Sequence, residues 1–247
     1  KSRMLPLYNL IFQSAISLFE VALVPVPRFS LTCHNNIPLG RGLGSSAAAV
    51  IGGISAANEI CGRPFNNQQI ARLAANIEGH PDNVVPALDG GLRIVIRQGE
   101  DILSSPVTIP PNIRAVALIP HQPISTKQAR TILPTNVRRE DAVFNIGRVA
   151  LLVNSLSTGD TTLLRAATQD KLHQPQRETL FPAMRLIFQA AQKAGALGVF
   201  LSGSGPTIIA LTVERGMTIA YEMADIAEKS GVLSDLRIME ISQNGVT

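Results

Sequence analysis

The sequence predicts an α+β protein of two domains, and three observations support this prediction. Its 247 residues are 45% hydrophobic and 16% charged, which suits a globular chain long enough for one large core or two modest ones. Four prolines between residues 104 and 120 mark a break in composition. The pattern after the break ends in the order β-β-α-β, which is typical of a ferredoxin-like layer. We therefore predict domains over residues 1–109 and 110–247.

The charge and hydropathy of the chain exclude several classes of partner. The sequence has 22 basic and 18 acidic residues, a net charge of +4, and its basic residues are scattered. A diffuse positive excess suits phosphate and carboxylate ligands, whereas nucleic-acid binding favours a clustered basic patch and more aromatic residues than 4%. The sequence contains no run of 18 apolar residues. We expect a small-molecule substrate, no nucleic-acid partner and no membrane partner.

Cysteine usage favours a reducing compartment. Cys33 and Cys61 have no spacing that is typical of a metal or redox site, so both are predicted to be small apolar filler residues. The N-terminal residues also lack the hydrophobic core of a secretory signal. We therefore expect a cytoplasmic protein.

Hydrophobic periodicity predicts the elements of the first half. Helices are expected over residues 5–20, 47–60 and 66–77, and strands over residues 28–34 and 92–96. Asn66 or Asn67 would cap the third helix. Gly52 and Gly53 lie inside the second helix, where each costs about 1 kcal/mol relative to alanine. Close packing of another element against the bare backbone would offset that cost.

The second half predicts alternating strands and helices. Strands are expected over residues 115–119 and 236–241, with a strand, a glycine loop and a strand over 199–211. Helices are expected over residues 141–156, 182–194 and 219–229. Gly195 would end the second of these helices. The first would have an apolar face of Val143, Ile146, Val149, Ala150 and Val153, and a polar face of Asn145, Arg148 and Asn154.

The most informative stretch is Pro38-Leu39-Gly40-Arg41-Gly42-Leu43-Gly44-Ser45-Ser46-Ala47-Ala48-Ala49. It ends at the N-terminus of a predicted helix, where unpaired backbone N–H groups and the helix dipole favour an anion. Its glycines let the backbone approach that anion closely. The stretch lacks both the lysine of a Walker loop and the spacing of a dinucleotide fingerprint. The plain alternative is a glycine turn before a serine-capped helix.

A second polar cluster lies between a predicted helix and a predicted strand. Glu78-Gly79-His80-Pro81-Asp82-Asn83 brings two carboxylates, an imidazole and an amide into six positions. Polar groups in such an apolar setting must find partners or bind a ligand. The structural alternative is that Asp82 and Asn83 form a turn after Pro81.

These segments resemble those of one enzyme family. The loop at residues 38–49 resembles the nucleotide loop of the GHMP small-molecule kinases, and residues 199–211 are similar to their third motif. Residues 78–87, 124–134 and 171–182 resemble the homoserine kinase branch. The resemblance implies the two-domain GHMP kinase architecture. Its N-terminal, ATP-binding domain would be like ribosomal protein S5, and its C-terminal domain would be ferredoxin-like.

The family's first motif has no counterpart in the sequence. That motif resembles Pro-x-x-x-Ala-Asn-x-Gly-Pro-Gly-Phe-Asp, and its asparagine and aspartate would bind the amino-acid substrate. The resemblance therefore leads us to expect a first domain that is truncated at its start.

The resemblance assigns ATP and Mg²⁺ to the first two segments. Ser46 and Glu78 would bind Mg²⁺, since a loop without lysine leaves phosphate charge for a metal ion to neutralise. The catalytic residues would be Ser46, Glu78, Asp82 and Asn83, with Asp82 as a candidate base. The residues that bind ATP would be Pro38, Leu39, Gly40, Arg41, Gly42, Leu43, Gly44, Ser45, Ser46, Ala47 and Ala48.

The resemblance also assigns the acceptor. Arg130 and Arg177 would hold the α-carboxylate of an amino acid, because a planar guanidinium matches a carboxylate bidentately; the alternative for each arginine is a solvated surface charge. His80 and Asn83 would line the pocket near the acceptor hydroxyl. The substrate-binding residues would thus be His80, Asn83, Arg130, Arg177, Gly203 and Ser204.

The function that the resemblance implies is homoserine kinase activity. A homodimer would transfer the γ-phosphoryl group of ATP to L-homoserine and give O-phospho-L-homoserine, a step towards threonine. A mevalonate-type GHMP kinase would keep the loop but would not need both arginines together with His80. A catalytically inactive nucleotide-binding module is favoured by the absent first motif. A glycine-rich α+β domain without a ligand is the remaining alternative.

Overall fold

The computed structural model describes residues 9–246, which form two compact units. The first unit contains the described residues up to Ile37, Gly44–Val107 and residues 242–246. The second unit contains Pro38–Leu43 and Thr108–Ile241. The chain thus passes between the units at Val107, beside the predicted boundary at residues 109 and 110. Residues 38–43 belong to the second unit and residues 242–246 to the first.

The first unit is built from helices and one β-hairpin. Its elements are α1 (Leu10–Val21), α2 (Ser45–Ile60), α3 (Asn67–Glu78), α4 (Val84–Asp89), β1 (Leu92–Gln98) and β2 (Asp101–Val107). β1 and β2 pair antiparallel in a two-stranded sheet. Leu18, Phe19, Val50, Ile54 and Ala74 are fully buried in its core. The predicted helices are confirmed where they are described, and residues 5–8 of the first prediction lie outside the described residues.

Close packing of α1 against α2 depends on one of the two helix glycines. A Cβ atom at Gly53 would lie 2.1 Å from the carbonyl oxygen of Ile11, so only glycine fits there. A Cβ atom at Gly52 would meet nothing within 4 Å. The prediction of a close backbone approach is therefore confirmed for Gly53 and wrong for Gly52.

The predicted strand over residues 28–34 is wrong. A strand needs a hydrogen-bonded neighbour, and within the described part of the first unit the sheet consists of β1 and β2 alone. Phe29 anchors the segment, since its ring centroid lies 5.5 Å from that of Phe12 and 6.2 Å from that of Phe19. Cys33 is exposed, so the expectation of a buried filler is wrong for this residue.

The second unit contains a four-stranded antiparallel sheet. Its strands are β3 (Arg114–Pro120), β4 (Gly198–Leu201), β5 (Ile208–Thr212) and β6 (Ser234–Glu240), in the order β4-β5-β3-β6. Its helices are α5 (Thr126–Thr131), α6 (Arg139–Thr158), α7 (Leu164–Ala167), α8 (Gln174–Arg177), α9 (Met184–Lys193) and α10 (Gly216–Lys229). A 3₁₀ turn over Thr161–Leu163 precedes α7. The β4-β5-α10-β6 order is the predicted ferredoxin-like pattern.

The helices α9 and α10 cover this sheet with a continuous apolar core. Leu118, Ile208, Ile187, Ile219 and Met223 are all fully buried there. Gly195 follows the end of α9 with φ of +99°, as the helix-stop prediction requires. Among residues 9–246, no helix is both long and apolar enough to cross a membrane.

Two polar side chains of the long helix α6 form hydrogen bonds with the turn before α8. Asn145 Nδ2 donates to Asp170 Oδ1 at 2.6 Å, and Arg148 donates to Gln169 Oε1 at 3.2 Å. The apolar positions Val143, Ile146 and Val149 are 61%, 69% and 58% exposed. The helix prediction is confirmed, but these predicted core positions are exposed, and the residues that α6 buries are Ser155 and Leu156.

Candidate active site

The glycine loop is held by the segment between β4 and β5. A Cβ atom at Gly42, where φ is +75°, would lie 2.2 Å from the carbonyl oxygen of Ser202. The Ser202 hydroxyl donates to the carbonyl oxygen of Gly42 at 2.8 Å. The backbone N–H of Thr207 donates to the carbonyl oxygen of Arg41 at 3.2 Å. The loop and the segment that follows β4 are therefore in direct backbone contact, and glycine is required at position 42.

Arg41 braces the same loop. Its guanidinium donates to the carbonyl oxygen of Leu39 at 3.0 Å and to that of His121. Both hydrogen bonds go to backbone carbonyls, so the side chain is directed at the protein. The positive charge of Arg41 thus stiffens the loop and adds to its positive potential.

The start of α2 has the features of an anion site. Gly44 occupies the N-cap position in a left-handed conformation, and no described side chain caps the helix. The alternative of a serine cap is therefore wrong. The N–H groups of the first turn lack side-chain acceptors, and the helix dipole makes them attractive to an anion.

Ser46 instead contacts the second motif. Its hydroxyl donates to Glu78 Oε2 at 2.8 Å. Glu78 is the last residue of α3, which begins with a capping box between Asn66 and Gln69 and ends at Gly79, where φ is +86°. Local capping signals at both ends of α3 therefore determine which residue faces Ser46.

The second motif also places His80, Asp82 and Asn83. His80 Nδ1 lies 2.6 Å from Asp82 Oδ1, so the imidazole is oriented by this carboxylate. Asn83 precedes α4, and its Oδ1 would be 3.8 Å from a Cβ atom at Gly44. The amide therefore lies beside the last glycine of the loop, and Asp82 is within hydrogen-bond distance of the His80 ring rather than only part of a turn.

The oxygen atoms of Ser46 and Glu78 fit a magnesium ion. Mg²⁺ prefers hard oxygen ligands and usually takes one or two from protein, with phosphate and water completing its shell. Among residues 9–246, no group of three or more His, Cys, Asp or Glu side chains could hold a metal ion. A hydroxyl and a carboxylate that need phosphate oxygens to complete the coordination suit a metal that arrives with a nucleotide.

In the second unit, Arg177 is fixed by three acceptors. Its Nε donates to the carbonyl oxygen of Ala129 at 3.2 Å. Its Nη1 donates to the carbonyl oxygen of Gly203 at 2.8 Å and lies 3.1 Å from His173 Nδ1. Burial lowers the pKa of Arg177, Asp170 opposes this, and the charge of Arg130 lowers the pKa further. The guanidinium nevertheless stays charged, because arginine is not deprotonated in proteins.

Arg130 lies on α5, and its side-chain contacts differ from those of Arg177. Its guanidinium makes no hydrogen bond or ion pair within residues 9–246, yet its charge is close enough to affect Arg177. At the start of α5, Thr126 Oγ1 lies 3.4 Å from Ser204 Oγ. The second unit thus brings Arg130, Arg177, Gly203 and Ser204 together, and its two guanidiniums form a local positive site that suits a carboxylate.

Sequence reasoning assigned no role to Ser202, His173 or Asp170. Ser202 lies in the segment that contacts the loop. Only the three-dimensional structure shows that its hydroxyl donates to the carbonyl oxygen of Gly42. His173 precedes Arg177 by four residues, which is the spacing of neighbours on one helix face. That spacing is the one signal in the sequence that points to a contact between them.

Comparisons with known proteins agree on one family. Residues 9–91 match the model of the GHMP kinase N-terminal domain, and residues 151–225 match that of the GHMP kinase C-terminal domain. A homoserine kinase of Moorella thermoacetica is 45% identical over 91% of this chain and 76% of that protein. One of Desulfitobacterium hafniense is 40% identical over 96% of this chain and 80% of that protein.

A solved structure shows the same fold. The crystal structure of a homoserine kinase from Cytophaga hutchinsonii superimposes with a TM-score of 0.87 and 30% identity, covering 99% of this chain and 80% of that chain. The fold, both domain matches and the relatives at 40–45% identity lead to the same conclusion. This chain belongs to the homoserine kinase family of the GHMP kinases.

Proposed function

We propose that this chain transfers the γ-phosphoryl group of ATP to the side-chain hydroxyl of L-homoserine, giving O-phospho-L-homoserine. The observation that carries the proposal is the 2.8 Å hydrogen bond between Ser46 Oγ and Glu78 Oε2 at the uncapped start of α2. It supplies the two oxygen ligands that a magnesium nucleotide needs, beside backbone donors for its phosphates. The names of the relatives support homoserine as the acceptor.

The nucleotide would bind along residues 38–48. The backbone N–H groups of the loop and of the first turn of α2 would donate to phosphate oxygens. Ser46 and Glu78 would hold Mg²⁺, which supplies neutralisation of phosphate charge when it is bound. Ser202 and Arg41 would keep the loop in the shape that presents those donors.

The acceptor would bind through its charged end. Arg177 is held by three contacts and Arg130 is free of described partners, so the pair can bind a carboxylate without breaking an existing ion pair. His80 and Asn83 would line the space near the acceptor hydroxyl. Holding the amino acid at its carboxylate would fix the direction of its side chain and thus the approach of the hydroxyl.

Catalysis would depend on positioning and electrostatic stabilisation. Phosphoryl transfer through a loose transition state asks little of a general base. Asp82 Oδ1 is engaged by His80 Nδ1 at 2.6 Å, so its described role is to orient the imidazole. We therefore assign the rate enhancement to the loop, Ser46, Glu78 and the two arginines rather than to proton abstraction by Asp82.

The direct test measures ADP release from MgATP by the 247-residue chain with four separate acceptors: L-homoserine, L-serine, mevalonate and galactose. We expect turnover with L-homoserine alone, with a phosphomonoester product identified by ³¹P NMR. Turnover with mevalonate but not L-homoserine would assign the chain to a different GHMP reaction. ATP binding without turnover of any acceptor would contradict the proposal and favour an inactive nucleotide-binding module.

A further inference from the structure

His173 contacts the guanidinium of Arg177 in a way that depends on its protonation state. Arg177 Nη1 lies 3.1 Å from His173 Nδ1. A guanidinium has donors and no acceptor, so Nδ1 must be unprotonated to form this hydrogen bond. The contact therefore requires a neutral imidazole whose proton is on Nε2.

Asp170 fixes the turn from which His173 extends. Its carboxylate is 6% exposed and accepts hydrogen bonds from the backbone N–H groups of Leu172, His173 and Gln174 and from Asn145 Nδ2. Asp170 Oδ1 lies 3.8 Å from His173 Nε2, on the opposite edge of the ring from Arg177. Asp170 therefore favours the Nε2–H tautomer that the contact with Arg177 needs.

We propose that His173 is a positioning residue that, as a neutral acceptor, orients Arg177 to bind the carboxylate of the acceptor substrate and releases it when protonated. This inference rests on the proposed function, because it assumes that Arg177 binds a carboxylate. His173 itself need not touch the substrate. It supplies one of three acceptors on Arg177, and the other two are the backbone carbonyls of Ala129 and Gly203.

The surroundings of His173 determine the sign of the pH effect. Burial lowers the pKa of His173, the nearby charge of Asp170 raises it, and that of Arg177 lowers it, with a net decrease. Arg130 adds further positive charge near Arg177. The imidazole is therefore neutral at pH 7 and becomes protonated only in acid, where it repels Arg177. Affinity for the acceptor carboxylate should fall as the pH falls through the lowered pKa of His173.

The test compares two substitutions of His173. His173→Leu removes the acceptor, whereas His173→Asn keeps an acceptor oxygen near the position of Nδ1 but does not titrate. We expect His173→Leu to raise the KM for L-homoserine about tenfold, as loss of a hydrogen bond to a charged group implies. The KM for ATP and kcat should stay within about twofold of the wild-type values, because the substitution removes no contact on which they depend. His173→Asn should restore most of the affinity.

The pH profile separates positioning from a merely structural role. With wild-type protein, the KM for L-homoserine should rise as the pH falls through the lowered pKa of His173, and with His173→Asn this rise should disappear. His34→Asn is the matched control, because His34 is an exposed histidine to which no role is assigned. A KM that is unchanged in His173→Leu, or a rise in acid that persists in His173→Asn, would overturn the proposal.

A second measurement does not depend on the substrate. NMR titration of the His173 imidazole should show the Nε2–H tautomer at neutral pH and a pKa that increases in Arg177→Leu. If the wild-type chain does not phosphorylate L-homoserine, the proposed function fails, and this titration still decides whether His173 is the acceptor for Arg177. An Nδ1–H tautomer, or a pKa that does not respond to Arg177→Leu, would overturn the contact itself.

Discussion

Ser46 Oγ and Glu78 Oε2 lie 2.8 Å apart and join the first turn of α2 to the last turn of α3. The two residues are 32 positions apart in the sequence. Their contact depends on two independent helix boundaries, the glycine N-cap of α2 and the glycine that ends α3. It brings a hydroxyl and a carboxylate from two local motifs together, and these are the oxygen atoms that we propose as ligands for a magnesium nucleotide.

Removing either oxygen ligand should greatly reduce turnover. Ser46→Ala and Glu78→Gln should each lower kcat by about 10²-fold or more, in analogy with the loss of one preorganised electrostatic contact. Initial rates at saturating MgATP and acceptor measure this effect. Glu59→Gln is the matched control, since Glu59 forms only an exposed ion pair with Arg63. Near-normal rates in both site variants would contradict the metal assignment.

Arg130 should affect the acceptor rather than the nucleotide. Arg130→Leu removes a guanidinium that has no described partner, so it should fold normally and raise the KM for L-homoserine at least tenfold, as the loss of a charge-assisted hydrogen bond implies. The KM for ATP should change far less. Arg138→Leu, at an exposed ion pair with Glu140, is the control. Equal increases in both KM values would show that Arg130 does not bind the carboxylate.

Gly42 should not tolerate a side chain, because its backbone conformation is left-handed and because a Cβ atom would collide with a neighbouring carbonyl group. Gly42→Ala places a methyl group 2.2 Å from the carbonyl oxygen of Ser202 at a φ of +75°. Gly62 has a similar φ of +80° but nothing within 4 Å of a Cβ atom. Gly62→Ala should therefore cost only the backbone strain, about 1–2 kcal/mol. Gly42→Ala should cost more and should also raise the KM for ATP.

Thermal unfolding and ATP kinetics together check this prediction. The prediction would be contradicted if the two variants had the same Tm and if Gly42→Ala had the wild-type KM for ATP. The contact between the loop and Ser202 would then not constrain the nucleotide site.

The two glycines of α2 should respond in opposite directions to alanine. Gly52→Ala meets no neighbour and should stabilise the protein by up to about 1 kcal/mol, the difference in helix propensity. Gly53→Ala would bring a methyl group 2.1 Å from the carbonyl oxygen of Ile11 and should destabilise it, because α1 must move away. Urea unfolding of both variants measures the difference. A stabilising Gly53→Ala would contradict the packing of α1 against α2.

Local signals explain most of what could be predicted. Asn66 and Gln69 form a capping box that is visible in the sequence, and Gly195 ends α9 as expected. The loop was recognisable because glycines, a serine pair and a helix-forming run follow each other directly. Each of these features is formed by residues that are close together in the sequence. The local pattern of residues is therefore enough to predict it.

The errors concern pairings between distant residues. Residues 28–34 alternate like a strand, but no described strand pairs with them. Conversely, no strand was predicted over residues 101–107, yet β2 lies there and its Pro106 pairs with Arg93. For α6, the predicted apolar face is largely exposed, and the buried residues are Ser155 and Leu156. A strand or a buried face exists only when its partner is in place, and a single segment does not specify that partner.

The sequence by itself determined the fold class and most helix boundaries, and it predicted the residue types of a phosphate loop and a carboxylate site, because these depend on local periodicity and residue chemistry. Tertiary structure decided which groups meet. It directed the Ser46 hydroxyl to Glu78 instead of to the helix cap and placed the Ser202 hydroxyl on the loop backbone. The residues in these two contacts are 32 and 160 positions apart in the sequence, so the contacts follow from the packing of helices and strands.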